Sequence, residues 1–115
     1  MEHKIEAYKF GHITVDGKDY TNDVIITPGG VRAEWWRKEG HEVSMFDIAQ
    51  VLDPKPTLLI VGTGASGLCK VLPEVEDYCR AQGIELITVP TPEAVVEYNS
   101  LEDKGSAICA LHLTC

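Results

Sequence analysis

The run Thr57-Leu58-Leu59-Ile60-Val61, followed by Gly62-Thr63-Gly64-Ala65-Ser66-Gly67, constrains this chain more than any other segment. A near-continuous apolar stretch bounded by Pro56 and Gly62 suits a central strand covered on both faces. Glycines just beyond such a strand allow a sharp turn at its carboxyl end, where open α/β sheets tend to place ligands. The spacing reads G-x-G-x-x-G, as in a dinucleotide-binding turn. The remaining parts of that fingerprint are missing. Leu68-Cys69-Lys70-Val71-Leu72 delays the next helix to Pro73, and Pro90-Thr91 stands where the ribose-binding acid would be, while Glu85 opens its strand instead of ending it. NAD or FAD is therefore not expected, nor is any other cofactor. Two readings of the turn remain. In the favoured one the glycines permit close packing. In the other, a small anionic metabolite binds at Gly62, Thr63, Gly64 and Thr91, with His41, Ser44 and His112 contributing if the fold brings them close.

Around this segment the chain divides into a β-rich first third and an alternating α/β remainder. Ile5 to Val15 reads as strand, and Asp16-Gly17 as a type I′ hairpin turn, whose two central residues need positive φ. Lys18 to Thr21 and Val24 to Thr27 follow as strands, Pro28-Gly29-Gly30 breaks the chain, and Val31 to Arg37 extends again. Ser44 and Asp47 form a capping-box pattern before Met45, Ile48, Ala49 and Leu52, ended by Asp53-Pro54. A second helix starts at Pro73 with acids in its first turn and stops at Gly83. Strand Ile84 to Val89, a third helix from Thr91 to Gly105 and a buried strand from Ala107 to Leu113 complete the order. Alternation of this kind argues for parallel strands joined by helical crossovers. The expected fold is α/β: a single three-layer domain over residues 1–115, with a mixed central sheet, an N-terminal antiparallel hairpin region and a parallel βαβ second half.

With 115 residues there is room for one core. A formal net charge of −8 without a basic cluster argues against nucleic acid and against an anionic membrane surface. No apolar run reaches the roughly 18 residues of a spanning helix. The start has neither a signal peptide's apolar core nor a transit peptide's arginines, so a cytoplasmic protein is expected. Cys69, Cys79, Cys109 and Cys115 contain no C-x-x-C pair, which suits reduced thiols.

Few side chains declare chemistry. His41 follows Gly40 in a loop and could act as a base, and His112 shares a strand face with Ile108 and Ala110, where a backbone-bonded buried histidine is the default. Cys79 and Cys109 fall on inward faces, while Cys69 or Cys115 would be a reactive thiol only if exposed. Scattered histidines and cysteines give no zinc spacing, and no G-x-S-x-G is present. Enzymatic activity is therefore disfavoured. Trp35 and Trp36, adjacent on an extended segment, point to opposite faces. One can join Val31 and Ala33 in the core; the other then shares a face with Arg32 and Glu34, either buried beneath a helix or exposed, and Trp36 with Arg32 is the candidate interface. A tryptophan beside an arginine is the composition of an interface hot spot.

Phe10-Gly11-His12-Ile13, Tyr20, Pro28-Gly29-Gly30, Trp35-Trp36-Arg37, Gly40-His41, Gly62-Thr63-Gly64, Thr91 with Ala94, Tyr98-Asn99 and Leu111-His112-Leu113-Thr114-Cys115 together resemble the Mth-domain family. Its members include archaeal and bacterial proteins of unknown function, an adipogenesis-associated protein and a mitochondrial complex I assembly factor. The resemblance runs nearly end to end. It implies a compact three-layer α/β fold with a mixed sheet, supplies no catalytic residues, and points to assembly or regulatory partners. The expected function is a non-catalytic interaction or assembly module, working with a protein partner or as a homo-oligomer. The alternative is the small-molecule site at the glycine turn.

Overall fold

The apolar runs around residues 24–27, 58–63 and 107–112 are adjacent strands in the computed structural model, which describes residues 3–115; Met1 and Glu2 lie outside it. The first half contains β1 (Ile5–Lys9), β2 (His12–Val15), β3 (Lys18–Tyr20), β4 (Val24–Thr27), β5 (Gly30–Arg32), β6 (Glu42–Val43), α1 (Met45–Ile48) and a 3₁₀ turn over Ala49–Val51. The second half contains β7 (Leu58–Thr63), β8 (Lys70–Val71), α2 (Pro73–Gln82), β9 (Glu85–Val89), α3 (Thr91–Asn99) and β10 (Ala107–His112).

Five strands form the main sheet in the order β5-β4-β10-β7-β9. β10 and β7 are parallel, in register from Ala107 opposite Leu58 to His112 opposite Thr63, and β9 runs parallel to β7 on its other side. β4 is antiparallel to β10, and β5 to β4, which makes the sheet mixed. Residues alternate between the two faces of a strand. Leu59, Val61, Ile108, Ala110 and Ile25 pack with Ile48 of α1 and Val75 and Cys79 of α2. Ile60, Cys109, Leu111, Val24 and Ile26 pack with Ala94 and Tyr98 of α3 and with Ile5, Ile13 and Val15 of a separate β1-β2-β3 sheet. The result is three layers around a mixed sheet, as the sequence pattern implies. Each Ile or Leu fully buried here contributes about 1.5–3 kcal/mol.

Local signals explain most boundaries. Asp16 (φ 52°) and Gly17 (φ 80°) both take the positive φ that their turn requires. Ser44 precedes α1, and the Asp47 carboxylate accepts its N–H at 2.8 Å. Pro73 opens α2, and Gly83 closes it in the left-handed conformation. Asn99, the last residue of α3, accepts the Ile5 N–H at 3.1 Å and donates to the Ile5 carbonyl at 2.8 Å, so it acts as a strand partner for β1. Asn99→Ala is expected to lose about 1–2 kcal/mol from these two bonds, read as a lower urea midpoint at unchanged slope.

Four expectations are corrected. Ile5 to Val15 is not one strand: it folds back at Phe10-Gly11, where Gly11 has φ 75°, and pairs with itself. Val31 to Arg37 is strand only as far as Arg32, because Glu34 turns into positive φ (57°) and Ala33 is exposed. The first helix is one turn of α-helix continued by 3₁₀ rather than a regular helix to Leu52. The third ends at Asn99 rather than at Gly105. The segment before Pro73 also has a use invisible in its composition. β8 pairs in parallel with β6, and Lys70 donates to the His41 carbonyl at 2.8 Å.

Candidate functional site

The carboxyl ends of β7 and β10 gather most of the residues singled out above, but on two different faces. On the α3 face, Gly62 lies against the helix. A Cβ there would stand 2.7 Å from Leu111 Cδ2, 2.8 Å from Thr91 Oγ1 and 3.2 Å from Ala94 Cβ. Gly64 has φ 102°, and a Cβ on it would meet the carbonyl oxygens of Thr114 and Cys115 at 2.6 and 2.8 Å. Thr91 is fully buried; its hydroxyl donates to the His112 carbonyl at 2.6 Å and accepts the Gly64 N–H at 2.9 Å. The Thr91 N–H in turn reaches the Gly64 carbonyl at 2.9 Å. The start of α3 is thereby tied to the glycine turn by protein groups. These contacts occupy the amides that an anion at a helix N-terminus would use.

On the opposite face Thr63 and His112 are neighbours in register and both are buried. His112 Nδ1 lies 2.7 Å from Asp23 Oδ2. Nδ1 also lies 2.9 Å from Arg37 Nη2. With the hydrogen on Nδ1 it donates to the shorter carboxylate contact, and the Arg37 Nη2 approach is then a close contact and not a hydrogen bond. Arg37 Nη1 donates to the same oxygen at 2.7 Å, while the Leu113 N–H donates to Asp23 Oδ1 at 2.7 Å. Arg37 Nη2 donates to the Gly40 carbonyl at 2.8 Å, and the guanidinium lies 4.9 Å from the Trp35 ring. Side-chain exposures of 5% for Arg37, 7% for His112 and 15% for Asp23 keep water largely out of this group. Burial pushes the Asp23 carboxyl up, but hydrogen bonds from His112, the Leu113 amide and Arg37 outweigh it and hold the group below the usual carboxylate range. The expected backbone partner of His112 is thus corrected to a carboxylate donated by the start of β4.

The edge of this group is open. His41 is exposed, its ring 6.1 Å from that of His112 and edge-on to it, and its Nε2 lies 3.9 Å from the exposed Cys115 Sγ. A thiol and an imidazole at this distance can exchange a proton, but among the described residues no further hydrogen bond orients the His41 ring as a catalytic base requires. The other thiols are withdrawn. Burial pushes Cys69 up despite nearby Arg37, and burial alone pushes up Cys79 and Cys109. Ser44 is engaged elsewhere: its hydroxyl donates to Asp47 at 2.8 Å, beside a groove lined by Glu39, Glu42, Phe46 and Glu74.

The locked group holds a loop in place. Trp35 is 4% exposed; its N–H donates to the Asp23 carbonyl at 2.8 Å and its indole Nε1 to the Asp47 carbonyl at 3.1 Å. Lys38 N–H donates to the Asp47 carboxylate at 2.8 Å. Between these anchors Trp36 stands 74% exposed, beside Arg32, Glu34 and Gln50 along one shallow concavity. One tryptophan in and one out agrees with the sequence pattern, although the pair lies on a pinned loop and not on a strand. Sequence reasoning passed over Asp23, Arg37 and Asp47 as site-building residues. The partners of Asp23 lie up to 90 residues away and no local spacing marks it or Arg37, while the spacing of Asp47 from Ser44 marks only a helix cap.

Three solved structures share this arrangement of elements. A conserved hypothetical protein, PH1505, of Pyrococcus horikoshii OT3 is 28% identical at a TM-score of 0.82, over 97% of this chain and 99% of its own. A Bartonella henselae protein described as an outer membrane protein is 24% identical at 0.83, over 99% and 97%. A Bordetella pertussis protein described as a Mth938-like domain is 20% identical at 0.74, over 96% and 85%. Among the described residues no helix is long and apolar enough to cross a membrane. The family model for a protein of unknown function (DUF498/DUF598) matches residues 5–113, in agreement with the Mth-domain resemblance, and the chain belongs to that family.

Proposed function

We propose that this domain is a cytoplasmic, non-catalytic module that docks a protein partner through the surface around Trp36. The observation that carries the reading is a tryptophan 74% exposed between two immobilised residues, Trp35 and Arg37. An exposed aromatic already held in place loses little conformational freedom on binding, which is what makes a rigid anchor effective. Arg32 beside it supplies the residue type that accompanies tryptophan in hot spots. Phe46, 80% exposed with Lys38 5.9 Å from its ring, adds a second exposed aromatic next to Asp47. The buried Asp23-Arg37-His112 group supports the same reading. The Asp23 carboxylate takes bonds from Arg37 Nη1, His112 Nδ1 and the Leu113 amide, and this holds the loop, although the buried Arg37 Nε has no partner among the described residues. Free cysteines fit a reducing compartment.

Affinity capture from source lysate, followed by purification and titration of the protein retained, tests this. Trp36→Ala is expected to weaken that partner at least about 30-fold, as a hot-spot residue does, while changing stability by less than about 0.5 kcal/mol. Phe10→Ala, which truncates another exposed aromatic, should bind as wild type. A partner held equally by Trp36→Ala, or nothing retained above bare matrix, contradicts the proposal.

A further inference from the structure

At the other end of the sheet from the glycine turn, the segment between the 3₁₀ turn and β7, the amino end of β10 and the β4–β5 turn line an open cavity of about 430 Å³. That volume falls in the usual range for small-molecule sites. Its apolar wall comes from Pro28, Val51, Pro54, Pro56 and Ile108, which present hydrocarbon without competing polar groups. The cavity is also preformed. Prolines stiffen three of its walls. Thr57 N–H donates to the Ser106 carbonyl at 2.9 Å, and Thr27 Oγ1 donates to the Gly30 carbonyl at 2.9 Å while accepting the Gly29 N–H at 3.2 Å.

The polar groups at this cavity are biased toward donors. Arg32 lines it, and among the described residues the one hydrogen bond of its guanidinium runs from Nη1 to Gln50 Oε1, at 3.5 Å. No carboxylate of the described residues forms an ion pair with it. The Gln50 amide and the Ser106 hydroxyl add further donors, since Ser106 Oγ only accepts, from Thr57 N–H at 3.1 Å. Lys55, tied to the Gln82 carbonyl at 2.9 Å, and Asp53 also line it, so its lining carries two cations against one carboxylate. In a chain of net charge −8 this is a local reversal of sign. The groove near Ser44 has the reverse bias, with Glu39, Glu42, Asp47 and Glu74 around a single lysine, Lys38.

We infer that this cavity binds a small monocarboxylate with an apolar body: the hydrocarbon rests on the proline-lined wall and the carboxylate meets the Arg32 fork. A guanidinium donates in parallel to both oxygens of a carboxylate. One arginine without an ion-pair partner among the described residues, in a lining that also holds Asp53, matches a single negative charge better than a phosphate dianion.

Phenylacetate serves as probe, titrated into ¹⁵N-labelled protein and followed by amide shifts, with phenylacetamide and inorganic phosphate as comparators. The expected result is saturable shifts at Thr27, Gly29, Val51 and Ser106. Affinity should fall roughly ten-fold or more for phenylacetamide, for phosphate and for Arg32→Gln, the effect of one charge-assisted hydrogen bond. Arg80→Gln, an exposed arginine outside the cavity, should bind as wild type. Shifts that do not saturate, shifts centred on residues 62–67, or equal affinity for the amide or for Arg32→Gln overturn the inference. None of these results depends on whether Trp36 binds a protein.

Discussion

Asp23→Ala is expected to destabilise the domain by about 3–5 kcal/mol, the typical cost of removing one partner from a buried ion pair. For a chain of this size that lowers the melting temperature by about 12–20 °C. The cost arises because one carboxylate answers three donors: Arg37 Nη1, His112 Nδ1 and the Leu113 amide. Without it a guanidinium that is 5% exposed keeps its charge and loses its counter-ion. Thermal and urea unfolding measure the loss. The same carboxyl gives the effect a pH signature. Its folded pKa is depressed, so its contribution is fully present above the ordinary carboxylate value near ~4 and disappears as pH falls through the lower folded value. The stability gap between wild type and Asp23→Asn should therefore be widest near neutrality and close below about pH 4. A gap unchanged from neutral to acid pH would contradict this account of the group.

Gly62→Val is the second large effect, about 3 kcal/mol, with Gly62→Ala about 2 kcal/mol from overpacking. The new Cβ would lie 2.8 Å from a Thr91 hydroxyl already fixed by the His112 carbonyl and the Gly64 amide. Threonine cannot yield without releasing the start of α3 from the glycine turn, so the cost spreads into both elements. Guanidinium unfolding reads it. An alanine variant as stable as wild type would show that the helix does not approach the strand this closely.

These two sites mark how far the sequence could be read. β4, β7 and β10 were legible because burial on both faces leaves an apolar run, and Asp16-Gly17, Pro73 and Gly83 because turns and caps depend on neighbours in the chain. The fold back at Phe10-Gly11 was not legible: the alternation continues through it, and the break lies in the φ of one glycine. β6 and β8 were missed for another reason. Each is two residues long and exists through pairing with the other, across 28 positions of sequence.

The candidate site divides in the same way. His112 could be assigned to the correct face because a strand has a fixed period, but its partner Asp23 lies 89 residues earlier beside an ordinary strand start. Gly62 and Gly64 were visible as a motif that also serves phosphate binding in other folds, so spacing alone could not say what approaches them. In this fold Thr91, Leu111 and the backbone after His112 do.

Hydrogen–deuterium exchange of the wild-type protein tests most directly the claim that Trp36 is presented by a locked loop. The Trp35 amide, bonded to the Asp23 carbonyl, and the Lys38 amide, bonded to the Asp47 carboxylate, should exchange far more slowly than the neighbouring exposed amides. In Asp23→Asn that protection should fall by more than that of the β7 amides, which lose only what the lower global stability takes from every core amide. Trp35 and Lys38 exchanging in the wild type as fast as an unstructured chain would contradict the account, since a mobile loop offers no fixed anchor for a partner.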